Sequence, residues 1–145
     1  MKKTSSDLLL LDVNVLLSLA WPNHQFHASA TRRFKSKQER WATCAITQLG
    51  FIRLSSNPAA VSPVRTPAEA ASLLQAMVAD EFHIYIRSMP SPLEISQFER
   101  ILGSAQVTDA YLLALARSHD ARFVTFDRRL AGLVEDDTMV ELLGA

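Results

Sequence analysis

The sequence predicts an α/β protein, a three-layer α/β/α sandwich around a mainly parallel central sheet. Three observations predict it. Leu8 to Leu11 is an unbroken apolar run followed by an acid, Asp12, as in a strand covered on both faces. Segments with helical spacing then alternate with short strand-like runs along the chain. Two helix-start signals, Thr66-Pro67-Ala68-Glu69 and Ser91-Pro92-Leu93-Glu94, each place a hydroxyl, a proline and an acid where a helix begins.

Each element follows from local residues. Leu8 to Leu11 forms the central strand, and Asn14 to Ala20 a helix stopped by Trp21-Pro22. Asn23 is expected to cap a second helix carrying Phe26, Ala30 and Phe34 on one face. Trp41 to Ala45 reads as a strand and Ile46 to Leu54 as a helix, ended by Ser55-Ser56-Asn57-Pro58. Residues 55–67 hold three of the six prolines and read as a loop. Thr66 then opens a helix with Ala70, Leu73, Leu74, Met77 and Val78 at helical spacing, read as core-facing. Phe82 to Ile86 is a strand, and Ser91 opens a helix that Gly103 ends. Thr108 opens another helix through Ala116. Arg122 to Phe126 is a strand, Asp127 to Gly132 a short helix or turn, and Thr138 to Leu142 a final strand.

The 145 residues are read as one domain, 1–145, long enough to bury a proper core. Apolar residues make up 48% and charged residues 21%, which is ordinary for a globular chain. Fifteen basic residues balance fifteen acids, so net charge does not signal a nucleic-acid binder. Aromatics, at 8%, are too few for a surface built on stacked bases. Charge is nevertheless segregated: Arg32 to Arg40 carries five basic residues and one acid, a solvated helix end or a phosphate-contacting patch.

The single cysteine, Cys44, excludes an internal disulfide and reads as buried filler among small residues. No run approaches the ~18 apolar residues of a membrane span. The expectation is a cytoplasmic protein without a targeting segment. His24 and His27 stand three apart without a third ligand of the right type, and His83 and His119 are isolated. No serine-hydrolase elbow, phosphate-binding loop or dinucleotide fingerprint occurs.

Ligands of open parallel sheets bind at the carboxyl ends of the strands. Two apolar runs end there in an acid: Asp12 after Leu8 to Leu11, and Asp127 in Phe123-Val124-Thr125-Phe126-Asp127. A third acid, Asp109, lies in the first turn of a helix. Singly, Asp12 and Asp127 read as helix caps and Asp109 as a complement to the helix dipole. Together the three can converge. Two like charges about 4 Å apart repel by roughly 1 to 4 kcal/mol, which a divalent cation relieves. Oxygen donors without cysteine favour Mg²⁺ or Mn²⁺ over zinc.

In that order and spacing, LLLLDVNVLL, ITQLGFIR, QVTDAYLLALA and FVTFD resemble the PIN domain, most nearly the VapC-type toxins of bacterial toxin–antitoxin pairs. The resemblance spans Leu8 to about Gly132. It implies a metal-dependent endoribonuclease, an antitoxin partner that blocks its cleft, and a homodimer. The family's first, third and fourth acids fall on Asp12, Asp109 and Asp127. Asn14 and Thr125 match polar positions that orient the ligands without being ligands. The second acid, normally a glutamate, is Gln48 here. Glutamine keeps a carbonyl oxygen and loses the charge, which weakens cation affinity and argues for one metal held by three carboxylates. Arg32, Arg33 and Lys35 are the candidates for tracking an RNA backbone.

Two other readings remain open at this level. Gln48 could mark a decayed site in a non-catalytic binding module. A phosphatase of the haloacid dehalogenase type also places an aspartate after its first strand, but it wants a second aspartate where this chain has Asn14.

Overall fold

The computed structural model describes residues 8–35, 38–95, 103–131 and 139–144. Five strands form one sheet: β1 (Leu8–Leu11), β2 (Arg40–Cys44), β3 (His83–Ile86), β4 (Arg122–Thr125) and β5 (Val140–Leu142), in the order β3-β2-β1-β4-β5. All four pairings are parallel, and β1 is central. The four leucines of β1 are all buried, as a strand between two helical layers requires.

Alternation along β1 separates two cores. Leu8 and Leu10 face one side with Ala42, Cys44 and Phe123, under helix α5 (Val107–Ser118) through Leu112, Leu115 and Ala116. Leu9 and Leu11 face the other side with Val124. That side is covered by α1 (Val13–Ala20), α3 (Ala45–Ser55) and α4 (Pro67–Val78), through Leu16, Phe51 and Leu74. These are the layers of an α/β/α sandwich. Helices α2 (His27–Phe34) and α6 (Arg128–Ala131) complete the set among the described residues.

The Thr66 start holds as read: its hydroxyl accepts from Glu69 N while Glu69 accepts from Thr66 N, with Pro67 in the first turn. Cys44 is fully buried. Met77 and Val78 are half-buried against the second core. Three local expectations need correction. Asn23 does not cap α2; Phe26 occupies that position, and the Asn23 amide instead donates to Ser62 O in the loop. Thr108 does not open α5; a 3₁₀ turn, Ser104–Gln106, runs into a helix that begins at Val107. Ser91 opens only a 3₁₀ turn, Pro92–Glu94, ended at Ile95, and residues 96–102 lie outside the described ones.

Candidate metal centre at the carboxyl edge of the sheet

Asp12 leaves β1 at its carboxyl end and immediately begins α1. Its backbone still belongs to the sheet, since Asp12 N donates to Val124 O at 2.9 Å. Its carbonyl already belongs to the helix, accepting from Val15 N and Leu16 N. The side chain is 5% exposed, and it is satisfied on both oxygens. Oδ1 accepts from Val13 N at 2.7 Å, and Oδ2 accepts from the Thr125 hydroxyl at 2.7 Å. Burial raises the Asp12 carboxyl above the usual carboxylate range, those two hydrogen bonds oppose the rise, and the charge on Asp127 adds to it.

Thr125 ends β4 and is fully buried. Its oxygen gives its proton to Asp12 and accepts from Asp127 N at 3.0 Å, so one hydroxyl ties the exits of β1 and β4 together. Asp127 Oδ1 in turn accepts from Arg129 N at 2.9 Å, starting α6. Both strand-end acids therefore do what the capping reading expected. Capping leaves them at one edge, because β1 and β4 are neighbours in the sheet.

Asp109 arrives from the first turn of α5. Burial first, then the charges of Asp12 and Asp127 and a hydrogen bond with the Asp127 carboxyl, push its pKa up to about 7. Arg129 opposes the rise. All three predicted acids thus act on one another, though they start 97 and 115 positions from Asp12 in the chain (109 − 12 and 127 − 12).

Gln48 sits in the first turn of α3, directly beyond the carboxyl end of β2, the strand next to β1. It shares their edge, but its amide nitrogen donates to Thr43 Oγ1 at 3.0 Å. No hydrogen bond among the described residues joins it to the three acids. Gly50 lets α3 approach α1 closely here: a Cβ at that position would lie 2.7 Å from Val13 Cγ2. Asn14, next along α1, is exposed.

The basic cluster is placed differently from expectation. Arg33 donates to both carboxylate oxygens of Glu39 and of Glu141, with part-buried geometry. Glu39 immediately precedes β2, so this end of α2 lies toward the amino edge of the sheet, opposite the acids. Arg33 is therefore the centre of an ion-pair network; Arg32 and Lys35 are exposed on the same helix end. Among the described residues a cation does stand beside the acids: Arg129, whose Nε lies 3.7 Å from Asp127 Oδ1. The sequence carried a signal for it. Arg128 and Arg129 open a helix, where the dipole disfavours positive charge, directly after an acid.

The donors at this edge are carboxylate oxygens, which suit a hard divalent cation. Burial first, and their mutual repulsion after it, raise the Asp12 and Asp109 carboxyls, and such a cation relieves the repulsion. Among the described residues, no three His, Cys, Asp or Glu side chains are already closed around one ion position. The donor chemistry therefore fits, while the spacing is looser than that of a closed cage.

The PIN domain family profile matches residues 9–135. The chain belongs to the PIN domain family. Its similarity runs to VapC proteins of Mycobacterium tuberculosis. It is 45% identical over 125 residues to "Ribonuclease VapC44" of strain H37Rv, covering 84% of this chain and 87% of that one. It is 41% identical over 142 residues to "Ribonuclease VapC39" of the same strain, covering 87% and 96% respectively. "Ribonuclease VapC38" is 39% identical over 137 residues, covering 92% and 96%. Membership in this PIN family removes the phosphatase alternative.

Proposed function

We propose that this PIN domain is a metal-dependent endoribonuclease, the toxin of a toxin–antitoxin pair, that hydrolyses RNA phosphodiester bonds. The observation that carries the reading is the convergence of Asp12, Asp109 and Asp127 at one sheet edge, in a chain 45% identical to a protein named as a ribonuclease. A bound Mg²⁺ or Mn²⁺ would supply charge against the scissile phosphate and lower the pKa of the attacking water.

The chain's own groups do the rest. Asp12, fixed on both oxygens, is the rigid ligand. Asp127 is oriented by its own turn, and Asp109 closes from the α5 side. The Asp109 carboxyl, with its pKa at about 7, keeps a proton in part of the metal-free population at neutral pH, so cation binding must release it. Thr125 holds Asp12 and the Asp127 backbone in register. Arg129, 72% exposed, is positioned to meet an RNA phosphate at the rim. Gln48 contributes a neutral amide rather than a fourth charge, which supports one cation rather than two.

RNA as substrate, a cognate antitoxin that blocks the cleft, a homodimeric state, a single domain over 1–145 and a cytoplasmic location complete the reading. No helix among the described residues is long and apolar enough to cross a membrane.

The test is cleavage of total RNA by purified protein with Mg²⁺ or Mn²⁺, with the ends mapped. Defined cuts that vanish in Asp12→Asn, with circular dichroism unchanged, support the reading. A folded protein that cuts no RNA with either cation points to the non-catalytic binding module instead.

A further inference from the structure

A buried polar chain links β2, β3 and α3 beside the three acids' edge. Thr43, on β2, is fully buried. Its Oγ1 lies 3.0 Å from Gln48 Nε2 and 2.8 Å from His83 Nε2, on the neighbouring strand β3. His83 is held from another side by the Trp41 ring, edge-on with centroids 4.7 Å apart. Trp41 is itself anchored by Nε1 donating to Asp80 Oδ2 at 2.6 Å.

Proton counting gives this chain a direction. A hydroxyl has one proton and two lone pairs. Gln48 donates to the Thr43 oxygen, so the Thr43 proton needs another acceptor. Among the described residues only His83 Nε2 is in reach. His83 must then be neutral, with its proton on Nδ1. Burial, which outweighs the nearby Asp80 charge, lowers the His83 pKa and favours that neutral form. With Nε2 of Gln48 turned inward, Oε1 is the end that takes no hydrogen bond among the described residues.

We propose that Thr43 and His83 are positioning residues that lock Gln48 in one orientation, amide nitrogen inward and carbonyl oxygen outward, at the edge that carries the three acids. Gln48 then serves as a fixed neutral acceptor for a hydroxyl or a water of the bound substrate. A glutamate at position 48 could not donate to Thr43. It would reverse the chain, with Thr43 donating to it and His83 donating from Nε2.

This inference rests on the proposed nuclease only for its catalytic consequence. The tautomer of His83 is read by ¹⁵N NMR of the imidazole in the metal-free protein. The expected result is an Nδ1–H tautomer in the wild type and proton occupancy on Nε2 in Gln48→Glu. An Nε2–H tautomer in the wild type, or no change in Gln48→Glu, overturns the proposal whatever the RNA result. If RNA is cut, Thr43→Val should raise KM or lower kcat several-fold while Mn²⁺ affinity stays within about twofold, and Thr43→Ser should restore the rate. Equal kinetics in a folded Thr43→Val protein also overturn it. Absence of any cleavage, with the tautomers as expected, would fault the nuclease reading and leave the orientation of Gln48 standing.

Discussion

Thr125 Oγ1 donates to Asp12 Oδ2 at 2.7 Å across the two central strands, and the same oxygen accepts from Asp127 N. A fully buried hydroxyl therefore sets the geometry of two proposed ligands at once. Thr125→Val keeps the shape and removes the donor, leaving a buried carboxylate oxygen unpaired, at a cost of about 1–3 kcal/mol in stability. It should also lower Mn²⁺ affinity by roughly 10-fold or more, as is typical when a group orienting a ligand is lost. Thr125→Ser should behave nearly as wild type. Chemical denaturation and calorimetry read both effects, and an unchanged Mn²⁺ affinity would contradict the role given to Thr125.

The Asp109 carboxyl makes a signed prediction for the metal-free protein. Its folded pKa, about 7, lies well above the usual carboxylate range. The native state thus binds the proton more tightly, and the stability linked to it is present at low pH and lost as pH rises through about 7. The raised Asp12 carboxyl acts in the same direction. Tm in the presence of chelator should fall between pH 5 and pH 8, over and above the trend of Asp109→Asn, which lacks the group. Saturating Mn²⁺ should flatten the fall. An identical pH dependence in the variant would refute the shared field at this edge.

Close contact between α3 and α1 also sets this edge. At Gly50 a methyl group would meet the stiff, β-branched Val13 side chain at 2.7 Å, next to Asp12. Gly50→Ala should destabilise the protein by about 1–3 kcal/mol, as overpacking does. Val13→Ala added to it should recover part of the loss, measured as a double-mutant cycle in urea. Additive losses would mean that the two helices do not meet there.

Arg33 is predicted to matter for folding and not for RNA. It joins Glu39, ahead of β2, to Glu141 in β5, and these hydrogen bonds hold the Glu141 carboxyl below its usual range. Arg33→Ala should cost about 2 kcal/mol, the scale expected when a part-buried, charge-assisted network loses its centre. RNA affinity of the folded variant should stay within about twofold by filter binding. Arg129→Ala should instead weaken RNA binding with little loss of stability.

The sequence led to the core and the acids because both are written in short-range patterns. Leu8 to Leu11 reads as a buried central strand, and Asp12 and Asp127 sit where parallel strands gather their ends. The Thr66 start is local chemistry between residues three apart, so it too was readable. What escaped depends on partners distant in the chain. Arg33 looks like a free cation until Glu141, 108 positions away, folds against it. His83 looks isolated until β3 pairs with β2 and sets it beside Thr43. Asn23 has the composition of a cap, but it turns to the Ser62 carbonyl in the proline-rich loop.

The most direct measurement of the central claim is a calorimetric Mn²⁺ titration of the wild type beside Asp12→Asn, Asp109→Asn and Asp127→Asn. A cation shared by all three carboxylates predicts one site in the wild type and at least a tenfold loss of affinity in every single variant. A folded variant of any of the three that binds Mn²⁺ as tightly as the wild type would contradict the shared site.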